Sequence, residues 1–274
     1  MGWLIGPVVA LLLLGVCFEI LESSLTAVPR LRTRWRTDLA WWFFTPLVAR
    51  PLGQVVVLLS LAPVILALRL PRGEALVQGH GPLAGLPWWM QLFGVLLLID
   101  GIGYWMHRLH HRSVLWDTHA IHHSSEHLDW LASVRVHPFN AWMQRAPGLL
   151  VVILLGFDLR TVAAAGPILG LWGIGLHANV ALRLGPLVYL IATPSFHRWH
   201  HARSGAPEGG CNFAGLFPLW DLCLGTFHLP EAEADDFGVP GEGPAESLWD
   251  QLIWPVARIR RGGSAATGDV IVSR

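Results

Sequence analysis

The chain has little that a soluble protein would use to stay in water. Only 14% of its 274 residues are charged, against about 25% in ordinary soluble domains. Lysine is absent, all 19 basic residues being arginine, which reads as coding bias rather than mechanism. The three cysteines, Cys17, Cys211 and Cys223, form no CxxC pair, so thiolate zinc sites and iron–sulfur clusters are excluded and small buried apolar roles are expected. The formal net charge of zero gives no reason to expect nucleic acid. No Rossmann fingerprint and no ferredoxin-like cysteine array occur, so the chain carries no redox carrier of its own. The first apolar run lacks a basic leader and a small-x-small cleavage site, and reads as a retained helix.

What is present is apolar length. With 53% hydrophobic residues and a mean hydropathy of +0.47, the chain reads as an all-α integral membrane protein. The first span covers Gly2 to Leu21. A second run from Leu39 to Leu70 is interrupted at Arg50-Pro51, which predicts an interfacial start followed by a crossing from Gln54 to Leu68. The third runs from Pro87 to Met106. A fourth region, Pro147 to Leu182, is broken at Gly156–Arg160 and fits a helical hairpin or one full span after a half-buried helix. Four, possibly five, membrane helices result. Residues 1–86 read as N-terminal membrane helices, 87–230 as a catalytic region with a helical cap, and 231–274 as a C-terminal cytosolic tail, frayed from Gly262 onward. Arginines 30, 32, 34 and 36 follow the first span, and 108, 112, 135 and 145 follow the third. Arginines 183, 198 and 203 follow the fourth region, and 258, 260 and 261 lie near the end. Only Arg69 and Arg72 fall between the second and third spans. By the positive-inside rule the cap and C-terminus face the cytosol, as in a bacterial inner membrane.

Most of the 14 histidines fall in tight groups. His107-Arg-Leu-His110-His111 follows the third span, then come His119-Ala-Ile-His122-His123 and, later, His197-Arg-Trp-His200-His201. Residues three and four apart share a helix face, so His107 and His111, then His119, His122 and His123, then His197, His200 and His201 can each converge on a point. His110 and His127 fall out of register, which predicts surface or supporting positions. Lone His80 and His228 read as ordinary core or surface residues. Imidazole suits iron, zinc and copper, and a closed zinc site takes four ligands. Eight clustered histidines therefore call for two metals. His177 and His137 are further candidates. Ligating histidines give their second ring proton to a carboxylate, carbonyl or water, for which Asp100, Asp117, Glu126, Asp129 and Asp221 are available. Asp100, Tyr104, His107 and His111 line one helical stripe, which makes the intramembrane Asp100 a candidate partner behind the ligands.

These motifs resemble the fatty acid hydroxylase/sterol desaturase superfamily. Asp100-x-x-x-Tyr104-Trp105-Met106-His107-Arg108-x-x-His111 looks like its opening motif. Leu115-Trp116-x-x-His119-x-x-His122-His123-Ser124-Ser125-Glu126 is similar to the second, and Thr193-Pro194-x-x-His197-x-x-His200-His201 to the third. Asn212-Phe213 and Trp220-Asp221-x-x-x-Gly225-Thr226-Phe227 resemble the closing segment. The likeness runs from Leu92 to Pro230, and Ser124-Ser125-Glu126 is most like bacterial members and the alkylglycerol monooxygenase branch. It implies a di-iron centre bound by His107, His111, His119, His122, His123, His197, His200 and His201, with His177 as a ninth ligand. His137, in an Arg-x-His-Pro element, is a tenth or a supporting residue. Tyr104, Glu126, Asn212 and Asp221 stand with Asp100 as supporting candidates. Asn140 stands where the family often has an acid, which leaves the local hydrogen bonding open.

The implied chemistry is oxygen-dependent hydroxylation or desaturation of a membrane lipid such as a sterol, fatty acyl chain or ether lipid. Such a reaction takes two iron ions (zinc can replace them in purified protein), dioxygen, and electrons from a separate ferredoxin or cytochrome with its reductase. Trp88, Trp89, Trp105, Trp142 and Trp172 could line a lateral entry or form an interfacial belt. Two rivals are a membrane metal transporter or binding protein, whose ligands should lie near mid-bilayer, and a zinc hydrolase, which needs three ligands and a general base.

Overall fold

A computed structural model describes residues 5–29, 34–112 and 115–261. Arg30, Arg32 and the tail from Gly262 lie outside the described residues. All regular elements within them are helical, with only two isolated bridges. Among the described residues, four helices are long and apolar enough to cross a membrane: Ile5–Ser24 (α1), Trp35–Ala67 (α2), Trp88–His111 (α3) and Leu159–Leu176.

The second apolar run is not broken at Arg50-Pro51. α2 continues through it because a π-helical segment, Thr45–Ala49, sits immediately before the proline. Arg50 N–H reaches back five residues to the Thr45 carbonyl, and this widened turn absorbs the register disturbance that a proline ring forces on its preceding turn. The earlier half of α2 packs on protein rather than lipid, with Trp41 and Trp42 buried.

The fourth apolar region is a hairpin. Pro138–Leu154 (α5) and Leu159–Leu176 (α6) flank a turn at Gly156, whose φ of 79° is left-handed. A Cβ there would lie 1.7 Å from the His80 carbonyl oxygen, so no other residue fits. Asp158 caps α6 by accepting from Arg160 N–H at 2.7 Å. Both hairpin helices pack on α3, where Val95, Val152, Phe157 and Ala165 form one buried cluster.

The cap is built from short pieces: the single turn Trp116–His119 (α4), then Pro194–His200 (α7) and Leu219–Leu224 (α8). Residues 231–261 pack onto the cap. Ala234 and Phe237 pack with Leu128, Trp199 and Cys211, and Leu248–Arg260 (α9) buries Gln251, Trp254 and Pro255 against the cap. Cys211 is buried as expected, but Cys17 and Cys223 occupy exposed helix positions.

Candidate metal centre

Three structural elements deliver the histidine clusters to one place. α3 ends at His111, so His107 and His111 emerge from the membrane helix on one face. His119, His122 and His123 follow on α4 and a 3-10 turn. α7 starts on Thr193, whose hydroxyl accepts from Phe196 N–H at 3.3 Å, with Pro194 in its first turn. That cap sets the register of His197, His200 and His201. His177 arrives from the end of α6.

The histidines then separate into two groups. His107, His111, His119, His123 and His200 form one, and His122, His177, His197 and His201 the other, each with ligand atoms within 4.8 Å of one another. Within the first, Nε2 atoms of His107 and His119 are 3.0 Å apart, His119 and His123 3.2 Å, and His123 and His200 3.1 Å. In the second, His122 and His177 are 3.1 Å apart, His177 and His197 3.3 Å, and His197 and His201 3.2 Å. Two imidazole nitrogens about 2.1 Å from a common ion, at right to tetrahedral angles, would stand roughly 3.0–3.4 Å apart. The spacing fits a metal in each group.

Proton bookkeeping makes the fit sharper. His177 Nδ1 donates to the Gly173 carbonyl at 2.6 Å and His122 Nδ1 to the Arg135 carbonyl at 3.3 Å. His107 Nδ1 donates to the Phe213 carbonyl and His200 Nδ1 to that of Cys211, each at 2.8 Å. A carbonyl cannot donate, so these rings keep their protons on Nδ1 and present bare Nε2 lone pairs. Burial holds His119, His122, His123, His197, His200 and His201 well below the ordinary imidazole value, and brings His177 to about 4. Neutral rings with converging lone pairs could hold a cation among them.

The supporting residues work one layer out. Asp221 accepts from Phe213 and Ala214 N–H at 2.8 and 2.9 Å and from the Thr226 hydroxyl at 2.7 Å. Thr226 also meets the Tyr104 hydroxyl at 2.9 Å, to which Arg108 donates at 3.1 Å. Asn212, with a left-handed φ of 56°, donates to the Phe196 and His228 carbonyls, each at 2.7 Å. Residues 211–213 are thereby clamped, and their carbonyls aim His200 and His107. Asp100 does not touch a histidine. It accepts from the N–H groups of Gly215, Leu216 and Phe217 at 3.0, 2.8 and 2.8 Å, because seven residues of helix put it roughly 10 Å below His107.

His137 stays outside both groups. As the cap of α5 it accepts from Phe139 N–H at 3.2 Å, while its Nε2 lies 3.2 Å from the Leu252 carbonyl, so both nitrogens are engaged by backbone. Glu126 is exposed and pairs with Arg34 at 3.1 Å instead of facing the cage. His110 is not at the surface: it is buried, donates to the Met106 carbonyl at 2.7 Å and packs 5.6 Å from the His119 ring. Asn140 is buried, with no partner for its side-chain oxygen among the described residues. Trp88, Trp89 and Trp105 are largely exposed, as belt residues are, whereas Trp142 and Trp172 are partly buried.

Two supports carried no sequence signature as such. Glu22, fully buried at the end of α1, accepts from Trp130 and Asn179 N–H at 3.2 and 3.1 Å, fixing the loop that follows His177. Asp38 pairs with Arg135 in the protein interior, holding the residue whose carbonyl aims His122. An acid at the end of an apolar run was the one available clue to Glu22.

Fold and site together define a helical membrane protein with two histidine groups, each of which could hold a metal ion. Residues 92–226, just under half of the chain, match the fatty acid hydroxylase family. Among curated relatives, the ornithine lipid hydroxylase OlsE of Rhizobium tropici is 36% identical over 175 residues, covering 62% of this chain and 52% of that protein. Alkylglycerol monooxygenase of Danio rerio is 31% identical, over 59% of this chain and 35% of its own length. A Delta(7)-sterol 5(6)-desaturase of Gibberella zeae is 29% identical, over 57% and 45%. The matched region thus spans about half or less of these relatives. No solved structure is a significant match.

Proposed function

We propose that this chain is an oxygen-dependent oxidoreductase that hydroxylates a membrane lipid at a centre of two iron ions. The observation that carries the proposal is the division of nine histidines, seven buried and two half-buried, into groups of five and four. His107, His111, His119, His123 and His200 would hold one ion, and His122, His177, His197 and His201 the other. Bound iron would supply the redox chemistry with dioxygen that acid–base side chains cannot perform on a C–H bond. In a hydroxylation one oxygen atom enters the lipid and the other leaves as water, so two electrons must arrive from a separate donor protein and two protons from solvent. The chain's own part is to hold the rings and keep water away. Phe213 lies edge-on to His107, His111 and His200, and Trp116 against His111 and His123.

The lipid reading draws support from the names of the relatives, which act on ornithine lipids, alkylglycerols and sterols. It also draws on the site's place at the end of α3 and α6, where a bilayer-dissolved substrate can enter sideways. The arginine distribution favours a cytosolic cage, open to a ferredoxin or cytochrome and its reductase. A transporter would spread its ligands along several spans. A zinc hydrolase needs a general base, and neither histidine group contains a carboxylate among the described residues. The test is an assay with iron-loaded protein, a ferredoxin–reductase system, membrane lipid extract and oxygen-18 gas. Labelled hydroxyl in a lipid product is expected; a lipid pool unchanged by iron-replete protein would overturn the proposal.

A further inference from the structure

The outward surface of α9 has no role in holding or aiming the histidines. This helix divides into three sectors. Gln251, Trp254 and Pro255 are buried, and Gln251 accepts from the Trp41 indole at 2.6 Å. A second edge is polar, carrying Asp250 and an Arg261 that pairs with Glu242 at 2.8 Å. The third carries Trp249, Ile253 and Val256 at i, i+4, i+7, with Ile259 beside them, exposed by 67, 40, 52 and 73%. The same stripe ends on exposed Arg260.

A helix packed on a soluble surface needs one apolar face; this one has a second, pointing away from the protein. Its position decides what covers that face. Thr37, in the first turn of α2, donates to the Glu246 carbonyl at 2.6 Å just ahead of α9. The Leu252 carbonyl meets His137 at the start of α5. α9 therefore crosses the ends of two long helices, and exposed Trp35 and Phe139 at those ends continue its apolar surface. Interfacial helices have this make-up: an apolar stripe, a polar edge and arginine reaching toward phosphate.

We infer that α9 lies in the plane of the bilayer surface, with Trp249, Ile253 and Val256 at the acyl–headgroup boundary and Arg260 among the lipid phosphates. α9 is thereby a membrane-surface anchor. Lipid is the occupant, rather than a second copy of the chain, because exposed Trp35 and Phe139, at the starts of the two long helices that α9 crosses, extend the apolar surface toward the spans and the stripe closes on a cation. The anchor also touches the site: Arg258 reaches Asp117 of α4 at 3.6 Å, so the bilayer surface would set the height of the turn that carries His119.

Site-directed spin labels test this. In a chain whose Cys17 and Cys223 are replaced by alanine, Ile253→Cys and, separately, Val256→Cys are labelled and reconstituted into phosphatidylethanolamine–phosphatidylglycerol vesicles. Leu58→Cys, on the exposed face of α2, serves as the lipid reference and Glu208→Cys as the water reference. Collision rates with oxygen and with a water-soluble nickel chelate are then compared. Both α9 labels are expected to favour oxygen, with a ratio near that of position 58. A label that meets nickel as freely as position 208 overturns the inference. Shielding from both reagents also overturns it, because it assigns the stripe to a protein partner.

Discussion

Asp221 and His107 grip the same residue from opposite sides. The carboxylate accepts the Phe213 N–H at 2.8 Å, and the imidazole Nδ1–H donates to the Phe213 carbonyl at 2.8 Å. A side chain that touches no candidate ligand therefore fixes the direction in which one ligand points.

Asp221→Ala is expected to lower metal affinity by about 10–100-fold, the range typical of such outer supports. Competition with a chelator measures it, and Asp221→Asn, which keeps one acceptor oxygen, should fall in between. Affinity unchanged in the alanine variant would mean that the 211–213 clamp holds itself.

Asp38 offers a contrasting case. It pairs with Arg135, whose carbonyl receives His122 Nδ1–H. Removing one partner of a buried ion pair leaves an uncompensated charge and costs about 3–5 kcal/mol. Asp38→Ala should lower the thermal midpoint and loosen metal in the four-histidine group before the five-histidine group, read as two phases of metal release.

Packing predicts a third outcome. A Cβ on Gly101 would lie 2.6 Å from the Trp220 ring. Gly101→Ala should destabilise the protein by about 1–3 kcal/mol, the usual range for overpacking, measured by thermal unfolding in detergent. A variant as stable as the parent would show that Trp220 can move.

The cage should also respond to acid, and the sign is fixed. Burial lowers His177 from 6.5 to about 4, so between these values the unfolded chain binds more protons than the folded one. Stability from the neutral cage is complete above about pH 6.5 and is lost as pH falls through the folded value near 4. Protons compete for the same nitrogens as the metal. Metal retained after gel filtration should thus decline from pH 6.5 toward pH 4 and be insensitive to a rise above 6.5.

The grouping of the histidines was legible in the sequence for a simple reason. Spacings of three and four put His107 and His111, or His197, His200 and His201, on common faces whatever the surrounding fold. The carbonyls of Gly173, Arg135, Cys211 and Phe213 were not legible, because a backbone acceptor has no residue identity. His137, expected as a tenth ligand or a supporting residue, lies outside both groups, because an Arg-x-His-Pro element is also a good helix start: Pro138 opens α5 and His137 caps it. Asp100 was expected behind the histidines, but its partners are three consecutive N–H groups of residues 215–217, more than a hundred positions away. The break expected at Arg50-Pro51 did not occur because a π-turn, a property of local backbone rather than composition, precedes it.

The most direct test of the account is the number of metal ions bound per chain. Anaerobic titration of metal-free protein with ferrous iron should saturate at two ions, with His201→Ala and His111→Ala each reduced to about one, reflecting the groups of four and five. Saturation of the unaltered protein at a single ion, or an unchanged count of two in both variants, would contradict it.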